Sequence, residues 1–100
     1  PAERAGTLVG NGGGAFVETR VMLRAGAETT VTLNVTGGAP PVRRAVGLNV
    51  YGPEGTVAAV TAENDPFIMK VTFVAQEEGI YLFQIYNYDP AYTLSYRLTW

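Results

Sequence analysis

Apolar and polar residues alternate with a period of two along most of the chain. Val17, Thr19, Val21 and Leu23 fall on one side of an extended segment, with Glu18, Arg20 and Arg24 on the other. Val31, Leu33 and Val35 interleave with Thr30, Thr32, Asn34 and Thr36, and Val46, Leu48 and Val50 with Gly47, Asn49 and Tyr51. The second half repeats the pattern. Phe67, Met69, Val71 and Phe73 alternate with Ile68, Lys70, Thr72 and Val74. Tyr81, Phe83 and Ile85 alternate with Leu82, Gln84 and Tyr86, and Tyr92, Leu94, Tyr96 and Leu98 with Thr93, Ser95, Arg97 and Thr99. A strand sends successive side chains to opposite faces, so each segment has one face for a core and one wetter face.

Turn-forming clusters separate these segments. They fall at 10–14 (Gly-Asn-Gly-Gly-Gly), 25–27, 37–41, 52–55, 63–66, 76–79 and 87–90. Breaks spaced by roughly 8–12 residues mark a sandwich or barrel and leave too little chain for helices. Half-polar strands are typical of antiparallel sheets, and two such sheets bury their apolar faces against each other. The pattern predicts an all-β fold: an antiparallel β-sandwich of about eight strands. Val31, Leu33, Leu48, Val50, Val71, Phe73, Phe83, Ile85, Leu94 and Leu98 are its expected interior. A single domain over 1–100 is expected, with a strand and glycine-rich loop over 1–15 leading into the sandwich over 16–100.

Composition narrows the chemistry. The 100 residues include 47% hydrophobic and 16% charged ones, enough for one core. A chain of this mass is expected to expose ~5,500 Å² when folded, against ~15,500 Å² unfolded. No histidine and no cysteine are present, which removes imidazole and thiolate metal sites, Ser-His-Asp triads and Cys nucleophiles. A net charge of −2 gives no nucleic-acid footprint. No stretch approaches the ~20 apolar residues of a membrane helix. The start, Pro1-Ala2-Glu3, is not Met, which predicts a processed product or a piece of a longer parent chain, and no apolar leader is present in these first residues.

Individual motifs add little catalytic signal. Gly10 to Ala15 satisfies G-x-G-x-x-A, but the residues after it alternate as a strand, so the reading is a loop and not a dinucleotide cradle. Glu77 and Glu78 are neighbours before Gly79 and diverge in an extended chain, so a two-carboxylate hydrolase is the least favoured reading. Glu63, Asn64 and Asp65 are weak calcium candidates, because they offer oxygens without the spacing of a calcium loop, and Asp-Pro is itself a turn former. No cofactor is expected. Asn34-Val35-Thr36 is a glycosylation sequon on a predicted strand, relevant only in a eukaryotic secretory setting.

The wetter faces carry the best functional handle. Tyr51 and Tyr86 sit there, with Asn49 and Gln84 two residues upstream on the same faces, and Tyr88 follows in a loop. Aromatic rings beside amides suit sugar rings and peptide segments, since a ring offers flat apolar area at low entropic cost. The alternative is that these tyrosines only cover the sheet edge or an end of the sandwich.

Four stretches resemble a known family. Leu48-Asn49-Val50-Tyr51-Gly52-Pro53-Glu54-Gly55, Gly79-Ile80-Tyr81-Leu82-Phe83-Gln84-Ile85-Tyr86 and Tyr92-Thr93-Leu94-Ser95-Tyr96 are similar to strand and turn motifs of bacterial pre-peptidase C-terminal domains. Leu23-Arg24-Ala25-Gly26-Ala27-Glu28-Thr29-Thr30-Val31 resembles their upstream hairpin. Phe73, Gly79, Tyr81 and Phe83 also match a run in GOLD domains of the eukaryotic secretory pathway. The resemblance implies a jelly-roll-like sandwich and a non-catalytic accessory module of a secreted, periplasmic or cell-surface protein. Its implied partners are protein, polysaccharide or adjacent domains of a larger chain. The acidic residues with which some relatives hold calcium have no convincing counterpart, since Glu3 and Glu18 stand isolated.

Overall fold

Each predicted segment becomes a strand: β1 (Glu3–Val9), β2 (Ala15–Leu23), β3 (Glu28–Val35), β4 (Val46–Tyr51), β5 (Val57–Val60), β6 (Ile68–Val74), β7 (Gly79–Asn87) and β8 (Thr93–Thr99). The structure, a computed structural model, describes residues 2–42, 44–60 and 65–100, and no helix forms among them. Pairing joins the two halves of the chain. β1 pairs with β8, β2 with β7, β3 with β6 and β4 with β5, all antiparallel. β3 also pairs with β8, and β4 with β7. The result is two four-stranded sheets, ordered β1-β8-β3-β6 and β2-β7-β4-β5. A long hairpin rolled up in this way is an eight-stranded jelly roll. β1 is thus a full member of the sandwich, paired with β8 along its whole length.

The period-two pattern explains the core. Val31 and Leu33 from β3, Leu94 and Leu98 from β8, Leu48 and Val50 from β4, and Phe83 and Ile85 from β7 are fully buried between the sheets. Trp100 closes one side, its ring edge-on to Phe83 at 5.8 Å. Two expectations shift. Phe73 is only partly buried because β6 is an edge strand, and its ring packs at 5.9 Å from Tyr81 and 6.4 Å from Phe83. Phe67 lies outside the core altogether, exposed in the turn before β6. There Asp65 Oδ1 accepts the Phe67 N–H at 2.9 Å, and the Ile68 N–H reaches Asp65 O at 3.3 Å, so the chain bends before the strand begins. The exposed surface of 5583 Å² agrees with that expected for a folded chain of this mass.

Side chains tie the rolled ends together. Tyr81 Oη donates to Glu77 O at 2.7 Å and accepts the Glu77 N–H, fixing the turn between β6 and β7. Gly79 follows with φ 155°, and a Cβ there would stand 2.6 Å from Pro53 Cγ, so only glycine lets the β4–β5 turn approach. Arg4 lies opposite Leu98 on β1 and reaches across to the other sheet, donating from Nη1 to Glu18 O at 3.0 Å and to Thr19 Oγ1 at 3.1 Å. That contact occupies part of the β2 edge and places a charge between two exposed strand edges, a device that discourages further strand pairing. Tyr92 Oη donates to Ala39 O at 2.9 Å and anchors the loop between β3 and β4.

Two predictions follow from this packing. Phe83→Ala leaves a cavity between the sheets and lowers stability by about 3–5 kcal/mol in chemical denaturation, whereas a loss below about 1 kcal/mol would place Phe83 outside the core. Burial raises the Tyr92 phenol above its ordinary value. The fold therefore prefers the neutral form, so this contribution is complete below the unfolded phenol value of about 10 and disappears as pH rises through the higher folded value. Alkaline titration of stability is expected to be steeper for the parent than for Tyr92→Phe. Identical slopes would remove Tyr92 as the cause.

Candidate functional site

The outward face of the β2-β7-β4-β5 sheet brings the sequence-predicted residues together. Gln84 on β7 stands directly between Glu18 on β2 and Asn49 on β4, forming one cross-strand row. The next row toward the chain turn is Phe16, Tyr86 and Gly47, and the row on the other side is Arg20, Leu82 and Tyr51. Residues directly opposite each other on adjacent strands lie about 5 Å apart, so each row is close-knit.

The central row is linked by hydrogen bonds. Asn49 Nδ2 and Tyr51 Oη both donate to Gln84 Oε1 at 3.4 Å, and Gln84 Nε2 donates to Glu18 Oε2 at 3.3 Å. These are long bonds, individually weak, but together they fix which way the Gln84 amide points. Two amides, a phenol and a carboxylate are thus held in one orientation on a half-exposed surface. Such ordering reduces the entropy lost when a ligand binds.

Aromatic rings gather at one end of the same face. The Tyr86 ring crosses over Gly47, where any Cβ would collide with its Oη and Cζ, so the missing side chain is what lets the ring lie down on the strand. Tyr88 packs against Tyr86 at 5.6 Å and meets Phe16 edge-on at 5.7 Å. The rings of Phe16 and Tyr88 also close over Gly14. Tyr88 and Phe16 remain substantially exposed, while Tyr86 and Tyr51 are half-buried. Tyr51, Tyr86, Asn49 and Gln84 therefore share one surface, and Tyr88 extends it beyond the end of β7.

Other residues complete the site without having been singled out in the sequence. Phe16 and Glu18 join through the pairing of β2 with β7, which alternation cannot reveal because it assigns faces and not neighbours. Asn87 was legible only as part of a turn. It is fully buried on the inward phase of Tyr81, Phe83 and Ile85, and a polar residue in that phase was the available signal. Its Nδ2 donates to Leu8 O at 3.1 Å and Tyr92 O at 2.9 Å, while Oδ1 accepts the Asp89 N–H at 3.0 Å. Asn87 O accepts the Asn11 N–H at 3.3 Å, and the adjacent Tyr88 N–H donates to Ala45 O at 2.8 Å. The buried amide thus ties β1 to the β7–β8 loop, while the backbone of Asn87 and Tyr88 holds the β1–β2 and β3–β4 loops.

The opposite sheet has a different outward face. Thr30 and Thr72 share a hydrogen bond of 2.8 Å between their hydroxyls, Asn34 Nδ2 donates to Arg97 O at 3.4 Å, and Arg97 pairs with Glu3 at 3.3 Å. Of the calcium candidates, Glu63 and Asn64 lie outside the described residues, and Asp65 uses Oδ1 to cap its own turn. Among the described residues no three acidic side chains gather around a common point, and no helix is long and apolar enough to cross a membrane.

Fold and surface together define the class: an eight-stranded antiparallel β-sandwich with an aromatic and amide-bearing outer face. No protein-family model matches the chain, and comparison with curated proteins gives no significant match.

Asn87→Leu preserves approximate volume but takes the amide away from Leu8 O and the Asp89 N–H, while Tyr92 O keeps the Gly10 N–H at 3.0 Å. Each buried group left unsatisfied costs about 1–3 kcal/mol, so a total loss of about 2–4 kcal/mol is expected in urea denaturation. A loss below about 1 kcal/mol would mean that water substitutes for the amide.

Proposed function

We propose that this chain is a non-catalytic accessory module of an exported or cell-surface protein, binding a polysaccharide through the outer face of the β2-β7-β4-β5 sheet. The observation that carries the reading is the contrast between the two outer faces. One bears threonines, an ion pair and the exposed aliphatic side chains of Ile68 and Val74, and the other bears the Phe16, Tyr86 and Tyr88 rings beside the Glu18–Gln84–Asn49 row. Sugar rings present apolar C–H faces to aromatic rings and hydroxyls to amides and carboxylates, so both halves of this surface have a use. The resemblance to pre-peptidase C-terminal and GOLD domains supports the accessory role and the exported setting. Fold likeness alone assigns no ligand, so the ligand class rests on the surface.

A glycan array and a panel of matrix proteins test this reading. Tyr86→Ala and Tyr51→Ala are expected to weaken binding by about 2 kcal/mol, roughly 30-fold, while melting stays near that of the parent. Gly47→Ala provides an independent lever, because the new Cβ displaces the Tyr86 ring while leaving the ring in the protein. Thr32→Ala on the opposite sheet serves as the neutral control. Binding that survives all three changes on the platform would refute it. Capture of a protein in place of a glycan would keep the surface and change the ligand class. Silence on both arrays favours a spacer domain.

A further inference from the structure

The glycine-rich loop between β1 and β2 supports the aromatic end through Gly14 but offers no side chain to the binding surface, and it sets up a reaction of its own. We propose that Asn11 is a spontaneous modification site, converting to aspartate and isoaspartate through a cyclic imide formed with Gly12. Asn11 is exposed, and its Oδ1 accepts the Gly13 N–H at 2.8 Å. That bond closes an Asx turn across the Asn11–Gly12 peptide and draws electron density from the amide carbon.

The attacking group is unencumbered. Among the described residues the Gly12 N–H donates to no acceptor, and nothing stands within 4 Å of where a Gly12 side chain would be. In the reaction the Gly12 nitrogen loses its proton and bonds to Asn11 Cγ, and the Cγ–Nδ2 bond breaks to release ammonia. Water then opens the five-membered imide at either carbonyl. Opening at one yields aspartate, and opening at the other yields isoaspartate, in which the main chain runs through Cβ and Cγ. The net change is one amide and one water converted to one carboxylic acid and one ammonia, with no oxidant or reductant.

Other asparagines lack this combination. Asn34 and Asn49 precede valines and lie in strands, where the branched side chain and the ladder restrain the next peptide. Asn87 is fully buried and spends Nδ2 on two carbonyls. Asn64 lies outside the described residues. Conversion at Asn11 adds a negative charge to the loop, and the isoaspartyl form lengthens the main chain beside Gly14, whose N–H donates to Asn11 O at 2.8 Å. The loop edge under Phe16 and Tyr88 therefore changes shape with the age of the protein, whatever the sheet face binds.

Ageing the full chain at mildly alkaline pH, followed by peptide mass spectrometry and isoaspartyl methyltransferase labelling, tests the proposal. The expected result is acid and isoaspartyl product at Asn11 ahead of every other asparagine. Gly12→Ala is expected to slow it at least about tenfold, the effect of about 1.4 kcal/mol added to the barrier. Gly12 has an ordinary φ and open space around it, so this variant keeps the turn. Equal rates in parent and variant, earlier conversion at another asparagine, or an unchanged Asn11 after ageing would each overturn the proposal.

Discussion

The pairing of the first half of the chain with the second constrains everything else in this molecule. Each of β1 to β4 finds a partner in β5 to β8, and the outermost pair, β1 with β8, joins residues at opposite ends of the sequence. Neither half has a sheet of its own, so the apolar faces of both must be buried together. Phe83 stands at the centre of that shared layer, bracketed by Phe73 from the facing sheet and by Trp100 just beyond the end of β8. Loop closure must precede such contacts, which is the physical reason that folds of this connectivity form slowly compared with helical bundles.

A rolled sheet also leaves open corners, and polar side chains close them. Tyr81 binds the backbone of its own turn, Arg4 bridges the β1 and β2 edges, and Asn87 satisfies three backbone groups from inside the core. Asn87 is the most consequential of these because its amide ties the end of β1 to the β7–β8 loop at one end of the sandwich. A buried amide with every partner in place rigidifies its surroundings, and the aromatic end of the outer face inherits that rigidity.

The surface itself depends on small residues as much as on large ones. Gly47 lets Tyr86 lie across the sheet, and Gly14 leaves room for Phe16 and Tyr88. A residue with a Cβ at position 47 would lift the ring and break the continuity of the platform. The polar row beside it is ordered through one residue, Gln84, whose oxygen takes two donors while its nitrogen reaches a carboxylate. Its neighbours on β2 and β4 come from distant parts of the chain, so this row exists only in the folded sheet.

Strand positions and their inward faces were legible because both follow from local rules: side chains alternate on an extended chain, and glycine, proline and asparagine mark its turns. That reading found Phe83, Leu48 and Leu94 as core, and placed Tyr51, Tyr86, Asn49 and Gln84 on outward faces. It misplaced Phe67, whose phase fits the strand, because an Asp65 cap shifts where the strand begins. Which outward faces belong to the same sheet was decided only by the tertiary structure. Alternation specifies a side and carries no information about a neighbour, so Glu18 beside Gln84, the ring over Gly47 and the role of Asn87 all wait on the pairing of distant strands.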